Sequence, residues 1–495
     1  MENTSLDDLI KHSRELRYKL LTDPLRPMYH FTALEGLAMP FDPNGCIFWK
    51  GKYHLFYIFQ DPNLPNGGHC WGHASSIDLI HWTHYPTALA PLPGDLDQGI
   101  FSGNAFINKR GEATILYHGC GIGNCIATSS EYNLVNWKKL PENPIVPSPK
   151  EGDPDFGKYS SWDPHGWMEG DTYYAIFGGG TPTLFKSSDL INWKYLNPFI
   201  KTDNNWIDPD EDCSCPDFFR LGDKYMLLCI SHKRGCRYYL GSFENETFYP
   251  ESHARMNWAG GTCFAPESLV DDKGRRIFWA WILDRRPIEM QQAYGWSGVM
   301  TIPRILSLAD DGTLKIEPVE ELTELRQNHR KHENIKLPTN KELVMDNIHG
   351  DSLELIVEIQ PEDAQEFGVI IRRSPDGAEQ TVIAYNPRSK MLKIDFSKSS
   401  LNRDIKYWSL CMGGGENPQV QTQEAPFELK HGEMLKLHIF LDRSILEVFA
   451  NGQQCITQQI CPTRNDSLGV SLFSSGGSTS IKNLNAWDMA PSNQW

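Results

Sequence analysis

Ser76-Ile77-Asp78-Leu79-Ile80-His81-Trp82 returns in outline as Ser130-Glu131-Tyr132-Asn133-Leu134-Val135-Asn136-Trp137 and again as Ser187-Ser188-Asp189-Leu190-Ile191-Asn192-Trp193. The shared Leu-x-x-Trp sets the tryptophans 55 and 56 positions apart. A four-stranded unit recurring at about 50 residues is the mark of a propeller blade, and about 300 residues at this period make five blades. The stretches between fit that reading: Tyr53-His54-Leu55-Phe56-Tyr57 and Thr172-Tyr173-Tyr174-Ala175-Ile176-Phe177 are rich in the aromatic and branched residues that strands favour.

Outward from the repeat, the texture changes twice. Residues 6 to 21 place Leu6, Leu9, Ile10, Leu16 and Leu20 roughly on one side of a helix with Ser5 as cap, so residues 1–29 are expected to be a helical extension outside the propeller. Residues 30–317 then form the propeller. Pro318 to Arg330 is charged, with Leu322 and Leu325 at helical spacing, and reads as a helix within a linker spanning residues 318–336. From 337 to 495 the pattern is strands again. There Leu437-His438-Ile439-Phe440-Leu441-Asp442 and Ser444-Ile445-Leu446-Glu447-Val448-Phe449 run into Asn451-Gly452, a hairpin signal. The expected fold is all-β, a five-bladed propeller followed by a C-terminal β-sandwich that props the propeller or supports dimerisation.

With 495 residues, more than one core is expected. The formal charge of −16, spread along the chain, argues against nucleic acid or an anionic membrane as partner and suits a neutral small molecule. No apolar run approaches membrane-spanning length. The acidic start lacks the basic and apolar regions of a secretory signal, which makes the cytoplasm the expected location. Twelve Cys in so long a chain are too sparse for a disulfide scaffold. His69-Cys70, His73 and Cys213-x-Cys215 fall short of a zinc site, and no metal or organic cofactor is expected.

The inner strands of a propeller start around its axis, so residues at one phase of the repeat converge there. Asp42, Ser102, Asp163, Asp212 and Glu267 follow each other at steps of 60, 61, 49 and 55, one for each blade. Carboxylates gathered in a cavity with aromatic walls are what glycoside hydrolysis requires: one attacks or activates water, another gives a proton to the leaving oxygen. A glycosidase is expected.

At these residues the chain resembles glycoside hydrolase family 32, the β-fructofuranosidases that include invertases, inulinases and levanases. The resemblance rests on Asp42-Pro43-Asn44-Gly45, Trp71-Gly72-His73-Ala74-Ser75-Ser76, Phe101-Ser102-Gly103, Cys215-Pro216-Asp217-Phe218-Phe219, Gly295 to Arg304 and Leu446-Glu447-Val448-Phe449. It implies release of fructose from sucrose or fructooligosaccharides with retention, Asp42 as nucleophile and Asp163 as stabiliser of the transition state. Asn44, Ser102 and Gln60 would contact sugar, with Trp71, Phe101 and Trp162 as wall. A fructosyltransferase, another furanosidase, or a fructan-binding protein without turnover are the alternatives.

The chain departs from the family at the proton donor. The family's acid/base Glu before Cys-Pro-Asp aligns with Ser214, and its Arg before the third-blade Asp aligns with Trp162. Asp212, which shares strand parity with Ser214, is the expected substitute acid, with Glu211 and Glu267 as alternatives. The family's Trp-Met-Asn is here Ala38-Met39-Pro40-Phe41, and its leaving-sugar Asp corresponds to Asn257 or is absent.

Overall fold

The computed structural model describes residues 5–36, 38–64, 68–412 and 416–493. Met1 to Thr4, part of the acidic start read above, lie outside them. The chain is nearly all strand. Residues 41–318 form five successive antiparallel sheets whose strands follow sequence order, and the remainder forms two six-stranded sheets.

The Leu-x-x-Trp repeat is a turn. In each of the first three sheets it joins the third strand to the fourth. Asp189 Oδ1 accepts the N–H groups of Ile191 and Asn192 at 2.9 and 2.8 Å, as Asp78 does for Ile80 and His81. Such Asx turns give short polar side chains at a fixed offset a backbone role. The Leu that follows takes a positive φ in all three copies, 67° at Leu79, 51° at Leu134 and 70° at Leu190, while its side chain is buried. Trp137 and Trp193 then donate their indole N–H to the carbonyls of Leu134 and Leu190, both at 2.9 Å. The fourth sheet replaces this device with a tight hairpin at Asn245 and Glu246, both at positive φ, and the fifth inserts the helix Ile288–Tyr294. The motif is therefore visible only three times.

The first strands of the five sheets, Phe41–Trp49, Ile100–Ile107, Pro164–Glu169, Ser214–Leu221 and Cys263–Val270, neighbour one another in that order, and the fifth returns to the first. One side chain from each latches the next. Asn44 Oδ1 accepts Gly103 N–H at 2.8 Å, Asn104 Oδ1 accepts Gly166 N–H at 2.7 Å, and His165 Nε2 accepts Phe218 N–H at 3.2 Å. Asp217 accepts the Ser268 hydroxyl, and Glu267 closes the ring by accepting Cys46 N–H. The latches stand two residues beyond positions 42, 102, 163, 215 and 265, four of which lie in a register shift of their strand while Asp163 directly precedes its strand.

The two six-stranded sheets share one apolar core, which includes Leu353, Leu355, Phe367, Val369, Leu437, Ile439, Leu446, Leu472 and Leu484. The Asn451-Gly452 hairpin is present between the strands Ile445–Ala450 and Gln454–Gln459. The helix Leu6–Thr22 has Ser5 as its N-cap and lays Leu20 against this core.

The expectation of a helix over 318–330, within a linker over 318–336, is corrected. Glu320–Leu325 is a 3₁₀ turn, and Arg326–Leu337 is a strand paired with Thr479–Met489 at the edge of one six-stranded sheet. An edge strand facing water on much of its surface takes charged residues that deter pairing with other chains, so this strand, whose apolar residues are Ile335 and Leu337 alone, lacks the apolar alternation by which strands are read.

The two halves are joined through buried charge. Asp442 accepts the N–H groups of Met28, Tyr29 and His30 at 2.7 to 2.8 Å, and His30 lies between Asp442 at 2.9 Å and Glu447 at 3.3 Å. Glu447 also receives the Arg304 guanidinium at 2.7 and 3.0 Å. Burial alone would lower the His30 pKa, but Asp442 and Glu447 outweigh it and raise it from 6.5 to about 9. A raised pKa means stability that is complete below about 6.5, the unfolded value, and is lost as pH climbs through about 9. The melting temperature should fall over that window, and His30→Gln should flatten the fall. Parallel curves for the two proteins would remove His30 as the cause.

Candidate active site

Where the inner strands begin, four of the five break their regular pairing. The register shifts between Phe41 and Pro43, Ile100 and Gly103, Ser214 and Asp217, and Phe264 and Pro266. Asp42, Asp163, Cys215 and Ala265 carry φ values of 37°, 31°, 46° and 42° there. Non-glycine residues adopt this region at a cost that the surrounding packing must meet, and such positions gather at functional sites. Of these, the side chains of Asp42, Asp163 and Cys215 meet at one point.

Three side chains meet around one sulfur. Cys215 Sγ is 3.9 Å from Asp42 Oδ2, 3.6 Å from Asp163 Oδ2 and 3.6 Å from Ser102 Oγ. The Ser102 hydroxyl donates to Asp42 Oδ2 at 3.4 Å, and Cys215 N–H donates to Asp163 Oδ2 at 3.1 Å. Asp42 Oδ1 is buried and has no hydrogen-bond partner among the described residues. Burial, then the charge of Asp163, pushes the Asp42 carboxyl up to about 7. Burial pushes Asp163 to about 6, against the Cys215 N–H that favours its charge. Two raised carboxyls of different strength in one buried cluster are the signature of groups set for acid–base and nucleophilic work.

Beside them lies a cavity of about 650 Å³ whose lining includes His118, Ser161, Trp162, Asp212, Ser214 and His232. Trp162 and Ser214 directly precede Asp163 and Cys215. Aromatic rings continue along this side: His118 and Trp162 are 4.7 Å apart by ring centroid, and Phe101 stacks on His69 at 4.3 Å.

The structure brings Asp42, Ser102 and Asp163 together but parts the last two members of the expected phase from them. Cys215, not Asp212, occupies the bulge of the fourth inner strand, and Ala265, not Glu267, that of the fifth. Glu267 is the latch to Cys46. Burial and then Asp217 raise its pKa strongly, so it belongs to a cluster with Asp217 and Arg276 deeper in the ring. Glu211 is held by Arg237 at 3.1 Å and Arg255 at 2.6 Å, which outweigh its burial and keep it ionised. Asp212 accepts the Ser214 hydroxyl and the His232 ring, both at 2.6 Å, and its carboxyl lies far below the usual range despite its burial. A carboxylate held ionised in this way has no proton to give.

The other expected sugar contacts have partners within the protein. Trp71 is 0% exposed and donates to Phe101 O at 2.9 Å, so it supports the wall from behind. Asn44 spends its amide within the protein, donating to Asp42 O at 2.6 Å and accepting from Gly103. Gln60 sits 3.3 Å from His69. Asn257 is buried and bonds Arg234 O and Cys263 N–H. His232 was missed. Its signal was the hairpin register: Ser214 pairs with Ile230, so Asp212 falls opposite His232.

Comparison with known proteins agrees with the resemblance. Residues 30–318 match the model of the glycosyl hydrolases family 32 N-terminal domain, and residues 321–488 match that of the family 32 C terminal. The sucrose-6-phosphate hydrolase of Zymomonas mobilis is 28% identical, over 100% of this chain and 98% of that protein. The levanase of Bacillus subtilis is 29% identical over 93% of this chain and 69% of its own. Among solved structures, fructan 1-exohydrolase IIa from Cichorium intybus superposes with a TM-score of 0.82 at 24% identity, covering 95% of this chain and 98% of that one. That protein is also known in complex with 1-kestose.

Proposed function

Because the chain belongs to glycosyl hydrolases family 32, both of whose domain models it matches, we propose that it is a β-fructofuranosidase releasing fructose by double displacement through Asp42. The observation that carries this is the meeting of Asp42, Ser102 and Asp163, from three sheets, against the sulfur of Cys215 from a fourth. Asp42 Oδ1 is the attacking oxygen, since Oδ2 is occupied by Ser102 and Cys215. Asp163 holds ring hydroxyls and stabilises the positive charge that develops on the sugar.

The five sheets are taken as the blades of a propeller and the two six-stranded sheets as a sandwich. The closed ring of latches and the family-model boundary at 318 support this reading. It divides the chain into an extension to residue 29, a propeller from 30 to 318, a 3₁₀ bridge over 320–325 and a sandwich from 326. No helix among the described residues is long and apolar enough to cross a membrane. All twelve cysteines are free thiols, which suits a reducing compartment such as the cytoplasm.

Among the described residues, the cavity lining holds aromatic rings, small polar groups, the Asp212 carboxylate and two histidines but no Lys or Arg, so a neutral leaving sugar fits better than a phosphorylated one. The test is product analysis on sucrose, 1-kestose, sucrose 6-phosphate and an arabinofuranoside. Release of fructose from the first two, with the phosphorylated sugar turned over no better, is the expected result. Fructose passed mainly to a second sugar would make the protein a transferase. Ser214 at the family's acid position favours one rival, a fructan-binding protein without turnover. It predicts calorimetric binding of 1-kestose with no reducing sugar released.

The pH profile follows from the raised carboxyl. Asp42 must be ionised to attack, so kcat/KM should fall as pH drops below about 7, where its carboxyl takes up a proton. An acidic limb near the ordinary Asp value of about 3.9 would mean that Asp42 is not the group being titrated.

A further inference from the structure

Double displacement needs a proton donor for the leaving oxygen, and the three carboxyl groups expected to serve are committed elsewhere: Asp212 and Glu211 are ionised in ion pairs, and Glu267 latches the ring. His118, which also lines the cavity, is pushed down by burial and holds Asn124 at 3.2 Å.

We propose that His232 is the general acid and base of this enzyme, with Asp212 as its positioning partner. This rests on the reading of Asp42 as nucleophile. His232 sits in the turn between the strands Lys224–Ser231 and Gly235–Glu244 and lines the cavity with its side chain 45% exposed. Its Nδ1 faces Asp212 Oδ2 at 2.6 Å, and Asp212 Oδ1 accepts the His232 backbone N–H at 2.9 Å. The carboxylate thus grips both ends of the residue, fixes the ring, and leaves Nε2 as the nitrogen available to substrate. Aspartate behind a histidine is the usual way to set its tautomer and favour the imidazolium.

The turn itself is fixed from the C-terminal half. Met412 N–H donates to His232 O at 3.0 Å and Cys411 N–H to Lys233 O at 2.7 Å, while Asn257 holds Arg234 O at 3.0 Å. The charged groups acting on the ring are Asp212, then Asp163 and Asp42, and all three favour its protonated form. The fifth sheet presents Phe264, its ring centroid 6.1 Å away. Lys233 and Arg234 in the same turn are paired with Asp210 and Asp208. Trp162 adds no charge on this side of the cavity. The ring is therefore held above its ordinary pKa, chiefly by the Asp212 hydrogen bond.

The step balances without any outside reagent. Asp42 Oδ1 attacks the anomeric carbon, the bond to the leaving oxygen breaks with its electron pair going to that oxygen, and Nε2–H of the imidazolium supplies the proton. Neutral His232 then takes a proton from water as the water oxygen attacks the same carbon, and the ester electrons return to Asp42.

The experiment compares wild type, His232→Gln and Asp212→Asn on 1-kestose and on β-fructofuranosyl fluoride, whose leaving group needs no proton. His232→Gln should lose about 10² to 10⁴-fold in kcat/KM on 1-kestose and only ~3-fold or less on the fluoride, as a lost acid but intact nucleophile requires. The alkaline limb of kcat/KM on 1-kestose should move to lower pH in Asp212→Asn. Equal loss on both substrates, full activity of His232→Gln on 1-kestose, or an alkaline limb unmoved in Asp212→Asn would each overturn the assignment. Wild type inactive on both substrates would instead overturn the fructosidase reading together with it.

Discussion

Asp42→Asn should lower kcat/KM on fructosides by at least ~10⁴-fold, the scale of losing a nucleophile that acts within a unit, and should at the same time stabilise the fold. The first effect follows because the amide cannot attack while Ser102, Asp163 and Cys215 keep their places. The second follows from the raised pKa. A carboxyl whose folded value is about 7 binds its proton more tightly in the folded chain than in the unfolded one, so folding weakens as pH rises from about 4 to about 7. Above that window the folded protein carries a buried charge that Asn removes. The melting temperature of the variant should exceed that of wild type at pH 8 and converge with it near pH 4. Retained turnover would refute the role of Asp42, and a variant less stable at pH 8 would refute the cost of its buried charge.

Arg304→Met should destabilise the protein by about 3–5 kcal/mol, the cost of stranding a buried partner. Glu447, fully buried, would lose its guanidinium partner and keep only His30 and the Ile302 N–H. Joint replacement of Arg304 and Glu447 by Met should cost less than Arg304→Met alone, because no charge is left behind. Chemical denaturation followed by tryptophan fluorescence reads both. A single variant within ~0.5 kcal/mol of wild type, the range of an ordinary surface substitution, would mean that the junction does not depend on this pair.

Part of the candidate site is legible because its carboxylates are tied to local backbone. Asp42 and Asp163 stand before Pro at one phase, and both hold a positive φ there, which Asp tolerates. Counting carboxylates at that phase then misled: the bulge of the fourth inner strand holds Cys215, and the acidic run Asp208 to Asp212 lies just before it. Glu267 is two residues off phase, at the latching position. His232 carries no local motif. It reaches the site through the pairing of Ser214 with Ile230, a tertiary fact that periodicity alone does not encode.

The fold was legible where strands are half buried and the turns repeat, and illegible where the sheet edge is wet. Arg326–Leu337 reads as charged linker because both faces of an edge strand tolerate polar residues. The motifs around Arg304 and Glu447 drew notice as family resemblance, and their physical task is the junction between the two halves.

The most direct test of double displacement is solvolysis of a β-fructofuranoside in buffer containing methanol, with the methyl fructofuranoside identified by NMR. Two inversions at the anomeric carbon through an ester on Asp42 predict the β anomer. The α anomer would contradict the account, because a single displacement by solvent leaves Asp42 no bond to make.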